Sequence, residues 1–248
     1  MEHDLGVGTP PTEYWEFESP PNDFDLVRNT FISNAVRFFL NIVIRVYLSV
    51  YHRIEYHGRA RAHGVRGAII IANHASHLDA PVLVSAFPLS RRNSVRSLAA
   101  KDYFFTSAFR RMASFLLANS IPIDRGRVDS ASFRFCADEM QQGMNIIMFP
   151  EGTRTADGAV KPFKPGIGML VCTLRAPVLP IYIQGAYEGF PRDRMLPSPK
   201  KVRVFIGEMM RFDTGPNTAD HWREIAGCLH ATLLEMEKRA KEASVATV

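Results

Sequence analysis

The 248-residue chain carries only three cysteines, Cys136, Cys172 and Cys228. They are odd in number, far apart and outside any CxxC or Cys/His metal spacing, so neither a disulfide framework nor a metal site is expected. Their apolar neighbours suggest buried free thiols in a reducing compartment. No GxSxG elbow occurs, which excludes the usual strand-to-helix presentation of a nucleophilic serine. No Walker loop or dinucleotide fingerprint occurs either, since GIGML (166–170) lacks a third glycine and follows no strand. There is no repeat of fixed period. The first two dozen residues lack a cationic stretch followed by an apolar core, so no secretory signal is expected. Residues 1–25 read as a poorly ordered tail.

An uninterrupted apolar run is also missing. The most apolar stretch, FISNAVRFFLNIVIRVYLSVYHRIEY (31–56), is broken by Arg37 and Arg45, and a charge at the bilayer centre is costly. Asn34, Arg37, Asn41, Arg45, Ser49 and His52 recur at steps of three or four and line one stripe of a helix. Every other side is apolar. Such a helix either packs on its own domain or lies in a membrane interface with its arginines at the headgroups. The width of the apolar face favours the second reading. Residues 26–58 are therefore expected to be a membrane-associating helical segment, and the protein to be monotopic or peripheral on the cytoplasmic face of a membrane.

What the chain does have is 46% hydrophobic and 22% charged residues, too apolar for disorder and ordinary for one sizeable globular domain. The formal charge is +5, and the basic residues cluster: Arg91, Arg92, Arg96 and Lys101; Arg110, Arg111, Arg125 and Arg127; Lys200, Lys201 and Arg203. Each cluster fits a solvated face or an anionic partner such as a membrane surface or a phosphate-bearing substrate. The clusters lack interleaved aromatics and any nucleic-acid module, so no nucleic acid is expected as partner.

Beyond residue 58, short apolar runs alternate with helical periodicities. GAIIIA (67–72), VRSLAA (95–100), SIPID (120–124), NIIMF (145–149), PVLPIYI (177–183) and KVRVFIG (201–207) read as strands, the last as a sheet edge. Residues 103–117, 129–142, 167–174 and about 219–243 read as helices, the last with Trp222, Ile225, Leu229, Leu233 and Met236 on one face. This alternation predicts an α/β fold: a single domain over 59–243, its mainly parallel mixed sheet covered by helices, with residues 244–248 fraying.

The strand GAIIIA runs into NHASHLD (73–79), so Asn73 and His74 sit at a strand's C-terminal end, where open α/β sheets bind ligands. Ser76 begins a Ser-x-x-Asp pattern that opens a helix with Asp79 in its first turn. On one continuous helix His74 and Asp79 would lie about 140° apart. A strand-to-helix turn lets the carboxylate fold back to the imidazole, fix its tautomer and leave the other nitrogen as a base. Taken alone, the stretch fits simple capping by Asp79 and a satisfied turn histidine better than a catalytic pair. His77 is an alternative base, less well placed inside the helix start, and capping explains Ser76 better than nucleophilic attack does. FPEGTRT (149–155) follows the strand NIIMF. Gly152 permits a turn that presents Glu151, Thr153 and Arg154; an arginine, a hydroxyl and exposed amides suit a phosphate. Glu151 would orient a cation or accept a substrate hydroxyl, and Lys164 of FKPG adds a cation. In IPIDRGR (121–127), Arg125 either contacts a phosphate or pairs structurally with Asp124.

Together these stretches resemble the glycerolipid acyltransferase family, the PlsC-like 1-acyl-sn-glycerol-3-phosphate acyltransferases and their relatives. The first family block, NHxSxxD, is present as Asn73–Asp79, and the third, FPEGTR, as Phe149–Arg154, both without departure. The fourth is APVLPIYI (176–183). The second, close to GxIFIDR in the family, is here NSIPIDR (119–125), with Asn119 for glycine and Pro122 for an aromatic. The resemblance implies acyl transfer without a covalent enzyme intermediate. His74 would be the general base, oriented by Asp79. Arg125, Glu151, Gly152, Thr153 and Arg154 would hold the acceptor's phosphate and glycerol, with Lys164 assisting. It implies no cofactor, acyl-CoA or acyl carrier protein as donor, membrane lipids as surroundings, and a lysophospholipid acceptor, foremost 1-acyl-sn-glycerol 3-phosphate giving phosphatidic acid. The alternative acceptors are another lyso-lipid, glycerol 3-phosphate or a glycolipid. The alternative class is a non-catalytic acyl-lipid-binding membrane protein.

Overall fold

The structure, a computed structural model, describes residues 31–100, 119–123, 130–212 and 215–245. Seven strands, β1 (Glu55–His57), β2 (Ile69–Ala72), β3 (Val95–Ala100), β4 (Ile121–Ile123), β5 (Asn145–Met148), β6 (Val178–Gln184) and β7 (Arg203–Ile206), form one sheet in the order β1-β7-β6-β2-β5-β3-β4. Every neighbouring pair is parallel except β6 and β7. Helices cover both faces: α1 (Phe31–Val50), α2 (Ala60–His63), α3 (Asp79–Ala86), α4 (Ser130–Gln141), α5 (Gly166–Leu174), α6 (Ala186–Gly189) and α7 (Ala219–Val245).

The central strand β2 explains why its sequence is a run rather than an alternation. Ile70 and Ala72 pack with Leu48 of α1 and with Val82 and Leu83 of α3. Ile69 and Ile71 pack on the opposite side with Leu170 and Val171 of α5 and with Ile225, Leu229 and Leu233 of α7. A strand buried on both faces has no polar side to show. β2 and β5 are parallel neighbours, with Ile71 opposite Met148. The loops leaving their C-terminal ends, which begin at Asn73 and Phe149, therefore start side by side.

The mainly parallel α/β domain is as expected, but several details differ. β7 is not a sheet edge, because β1 pairs with it in parallel. β1 was hidden in the expected 26–58 helical segment. The helix ends at Val50, Arg53 turns the chain with φ +45°, and Glu55–His57 enter the sheet. Three residues are too few for a strand period to be read, and Glu55 is held there by Lys201 at 2.6 Å and Arg203 at 3.4 Å.

The polar stripe of α1 faces the protein, contrary to the expectation of arginines at the headgroups. Arg37 and Asn41 are buried. The Arg45 guanidinium donates to the carbonyls of Ser85 at 2.9 Å and Phe87 at 2.6 Å. The end of α3 thereby receives donors for carbonyls that no helix can satisfy internally. Arg59 adds bonds of 3.1 Å to Ser85 and Ala86. The outward face of α1 is apolar instead: Phe39, Val43, Val46 and Val50 are 56–75% exposed. No helix among the described residues is long and apolar enough to cross a membrane.

The 91–96 basic cluster is likewise engaged with the protein itself, though of its arginines only Arg96 is buried. Arg96 is buried in an ion pair with Glu139. Arg91 donates to the carbonyls of His63 and Val65, each at 3.0 Å. Of the free cysteines only Cys136 is buried; Cys228 is exposed. The expected 1–25 tail, the 103–117 helix, and Lys101, Arg110, Arg111, Arg125 and Arg127 lie outside the described residues.

Candidate active site

The site is built at the C-terminal ends of β2 and β5. Asn73 locks the first loop to β6: its side-chain amide donates to the Ile183 carbonyl at 2.9 Å, and its carbonyl accepts the Ile183 N–H at 2.8 Å. The loop then turns into α3. The Ser76 hydroxyl accepts the Leu78 N–H at 3.0 Å and donates to the Phe190 carbonyl at 2.7 Å. Ser76 lies two residues before Leu78, the N-cap of α3, so it is not the helix cap that was expected; buried, with its hydroxyl engaged on both sides, it ties the turn together and is not placed as a nucleophile.

Asp79 is completely buried, and one of its oxygens, Oδ2, gathers three donors: His74 Nδ1 at 2.8 Å, the Ala75 N–H at 2.7 Å and the Ser76 N–H at 2.8 Å. The fold-back needed to bring Asp79 to His74 is thus present. With Nδ1–H donating to a carboxylate, the imidazole keeps its lone pair on Nε2. The His74 side chain is one-fifth exposed, and its ring stacks on Phe149 with centroids 4.0 Å apart and planes 15° apart.

The second loop joins the first through the backbone of His74. Glu151 Oε1 accepts the His74 N–H at 2.9 Å, and the Thr155 N–H donates to the His74 carbonyl at 2.8 Å. The other Glu151 oxygen accepts the Lys161 N–H at 3.2 Å. The sequence reading placed Glu151 on the acceptor; its side chain is buried and both oxygens are held by backbone N–H groups. Burial pushes the Glu151 carboxyl up to about 7, and the nearby Asp79 charge pushes the same way against the two backbone donors.

Gly152 adopts φ +76°, and a Cβ there would come within 2.7 Å of Lys164 Nζ. Only glycine suits both the left-handed backbone and the lysine lying across it. The Lys164 N–H donates to the Pro150 carbonyl at 2.9 Å, which fixes FKPG against the turn. Thr153 is exposed on the same turn. Arg154 reaches back to the first loop, where its Nη1 lies 2.7 and 2.9 Å from the two His77 ring nitrogens. Burial lowers the His77 pKa, and the Arg154 charge lowers it further. The two histidines are therefore unlike: His74 faces a carboxylate, His77 a guanidinium.

The structure thus brings together His74, Asp79, Glu151, Gly152, Thr153, Arg154 and Lys164. Phe149 and Asn73 complete the site without having been assigned a role from sequence. Nothing in the composition of either motif separates a ring platform or a strand clamp from ordinary loop residues. Chemically, the arrangement offers a base with one open nitrogen beside cations fit for a phosphate. Among the described residues no group of three or more His, Cys, Asp or Glu is placed to hold a metal ion.

A family model described as Acyltransferase matches residues 53–184, more than half of the 248-residue chain. The chain belongs to the acyltransferase family. The resemblance carried by NHASHLD and FPEGTR is thereby borne out. The 1-acyl-sn-glycerol-3-phosphate acyltransferase of Cocos nucifera is 28% identical over 162 residues, covering 63% of this acyltransferase and 48% of that protein. The 1-acyl-sn-glycerol-3-phosphate acyltransferase alpha of Mus musculus is 26% identical over 159 residues, covering 62% and 53%. This chain spans about half the length of the curated relatives it matches. The crystal structure of the 1-acyl-sn-glycerophosphate (LPA) acyltransferase PlsC from Thermotoga maritima superposes with a TM-score of 0.62 over 86% of both chains at 22% identity, which establishes a common fold.

Proposed function

We propose that this acyltransferase moves a fatty acyl group from acyl-CoA or acyl carrier protein to the free hydroxyl of 1-acyl-sn-glycerol 3-phosphate, giving phosphatidic acid. The observation that carries the reading is the 2.8 Å contact between His74 Nδ1 and Asp79 Oδ2, beside the turn that bears Arg154 and Lys164. His74 Nε2 takes the proton of the acceptor hydroxyl as its oxygen attacks the thioester carbonyl carbon. Asp79 stabilises the imidazolium. Collapse of the tetrahedral intermediate expels the thiolate, which receives the proton from Nε2. General-base help of this kind is worth roughly 10²–10⁴-fold, and positioning supplies much of the rest. Arg154, Lys164 and the turn at Gly152 and Thr153 bind the acceptor's phosphate and glycerol; Arg125 joins them. Glu151 acts by holding the two loops together. No cofactor is needed for this chemistry. The similarity to the coconut and mouse 1-acyl-sn-glycerol-3-phosphate acyltransferases supports the choice of acceptor.

The outward face of α1 seats the enzyme in the membrane interface on the cytoplasmic side, its apolar residues below the headgroups. Phe39→Ser with Val43→Ser should move a large part of the protein to the soluble fraction. Removing residues 1–56 is a poorer test, because it also strips Leu48, His52 and most of β1 from the folded domain.

The acceptor is tested with labelled acyl-CoA and a panel of lysophosphatidic acid, lysophosphatidylcholine, glycerol 3-phosphate and a glycolipid. Transfer to lysophosphatidic acid is expected to dominate. Acylation of lysophosphatidylcholine with lysophosphatidic acid ignored would overturn the assignment and leave the chemistry in place.

A further inference from the structure

The segment Phe190–Lys200 joins α6 to β7 and carries the two most exposed large apolar side chains among the described residues, Met195 at 93% and Leu196 at 78%. Hydrogen bonds hold them outward. The Ser198 N–H donates to the Gly189 carbonyl at 2.7 Å, and Arg194 donates from its backbone to Pro191 at 3.2 Å and from Nη1 to Ser198 Oγ at 2.9 Å. Pro191, Pro197 and Pro199 restrict the backbone further.

Each end of this segment touches something relevant. At the tip, the Tyr51 hydroxyl donates to the Pro197 carbonyl at 3.1 Å. Tyr51 follows Val50, the last residue of the outward apolar face of α1, so the tip and that face adjoin. At the base, the Phe190 carbonyl accepts the His77 N–H at 3.1 Å as well as the Ser76 hydroxyl, and Pro191 pairs with Ser76. The apolar tip is flanked by Arg192, Arg194, Lys200 and Lys201. Asp193 pairs with Arg192 at 3.2 Å and Glu55 with Lys201 at 2.6 Å. Arg194 and Lys200 form no ion pair among the described residues; with Glu188 and Asp193 they line a concavity of about 410 Å³.

We propose that Met195 and Leu196 enter the interface of an anionic phospholipid bilayer beside α1, with Arg194 and Lys200 at the level of the lipid phosphates. Large apolar side chains beside two cations free of ion pairs among the described residues match the two layers of such a surface, acyl region and phosphate plane. Through Phe190 and Pro191 the tip then holds the His74–Asp79 loop against the bilayer from which a lipid acceptor is taken. This deepens the membrane part of the proposed function and rests on it.

Full-length protein carrying Leu196→Trp tests the insertion without any acyl donor or acceptor. Vesicles of phosphatidylcholine and phosphatidylglycerol, with and without brominated chains, are added and tryptophan emission is followed. Trp15 and Trp222 of the native protein give the background. A blue shift and bromine quenching above that background are expected, both weakened in pure phosphatidylcholine. Met195→Glu with Leu196→Glu should lower co-sedimentation with the anionic vesicles about tenfold or more, while transfer to a short-chain acceptor dissolved in water stays near the native rate. Three results overturn the proposal: no binding of native protein to anionic vesicles, binding without quenching at position 196, or an emission shift that follows protein concentration without lipid, which would assign the tip to a second copy of the chain. If the native protein lacks transfer activity but the indole introduced by Leu196→Trp is quenched, the enzymatic reading fails and the insertion stands.

Discussion

The two loops at the end of the sheet each contribute one buried carboxylate, and both carboxylates bind His74, from opposite sides of its chemistry. Asp79 lies five residues away and reaches the ring. Glu151 lies 77 residues away and reaches the backbone N–H. Asp79 collects donors from its own loop on a single oxygen. Glu151 spans two segments, one oxygen on His74 and the other on Lys161. The orientation of the imidazole and the location of its backbone are thus set by different acids. Only the first can respond directly to charge developing on the ring; the second fixes where the ring stands relative to the Arg154 turn.

The largest effects should separate the two. His74→Ala is expected to lower kcat roughly 10³-fold, within the range for loss of a general base. Asp79→Asn should fall nearly as far, since a neutral amide keeps an acceptor for the Ala75 and Ser76 N–H groups but cannot stabilise the imidazolium. Glu151→Gln should cost no more than about tenfold, because it retains a carbonyl oxygen for the His74 N–H. Steady-state rates on lysophosphatidic acid, with circular dichroism as a check on folding, decide this. Equal losses for Asp79→Asn and Glu151→Gln would erase the distinction.

An intermediate effect sharpens what the second loop does. In the proposed role, Arg154→Gln removes a charge-assisted contact to the acceptor's phosphate, and such contacts are worth about 1.5–3 kcal/mol. KM for lysophosphatidic acid should rise about tenfold to a hundredfold with kcat little changed, and an acceptor without a phosphomonoester should be unaffected. A fall in kcat at constant KM would instead place Arg154 in service to the first loop, through His77.

What was legible beforehand follows the same division. The fold-back of Asp79 can be read from NHASHLD because the apolar run, the turn serine and the carboxylate are contiguous. The task of Glu151 cannot, because its partner is a backbone N–H contributed by another strand's loop. Asn119 is an intermediate case. It stands where the family pattern has glycine, and it adopts φ +50°, a conformation that asparagine enters more readily than other side chains. Its side chain also donates to the Val95 carbonyl at 3.2 Å, so the departure keeps the backbone shape. The polar stripe of α1 was legible as a stripe but not in its direction. Periodicity shows that a helix has two sides, whereas the carbonyls that draw Arg45 inward belong to α3. Likewise β7 reads as an edge until the three residues of β1 are seen beside it.

The smallest effect tests the electrostatic half of the comparison. The Glu151 carboxyl is raised from 4.5 to about 7, chiefly by burial. Between those values the folded chain holds a proton that the unfolded chain has released, so this group's contribution to stability is greatest below pH 4.5 and is lost as pH rises through 7. Glu151→Gln has no such proton. Its amide still accepts from the His74 N–H but turns an N–H toward that of Lys161, at a cost of about 1 kcal/mol. The variant should therefore be the less stable protein below about pH 5. It should gain on the native protein as pH increases, by roughly 3 kcal/mol at most, and overtake it between about pH 5 and 6. Urea unfolding of both proteins from about pH 5 to 8 measures the difference, in which the titration of all other groups cancels to first order. A constant difference across that range would mean that Glu151 is charged throughout.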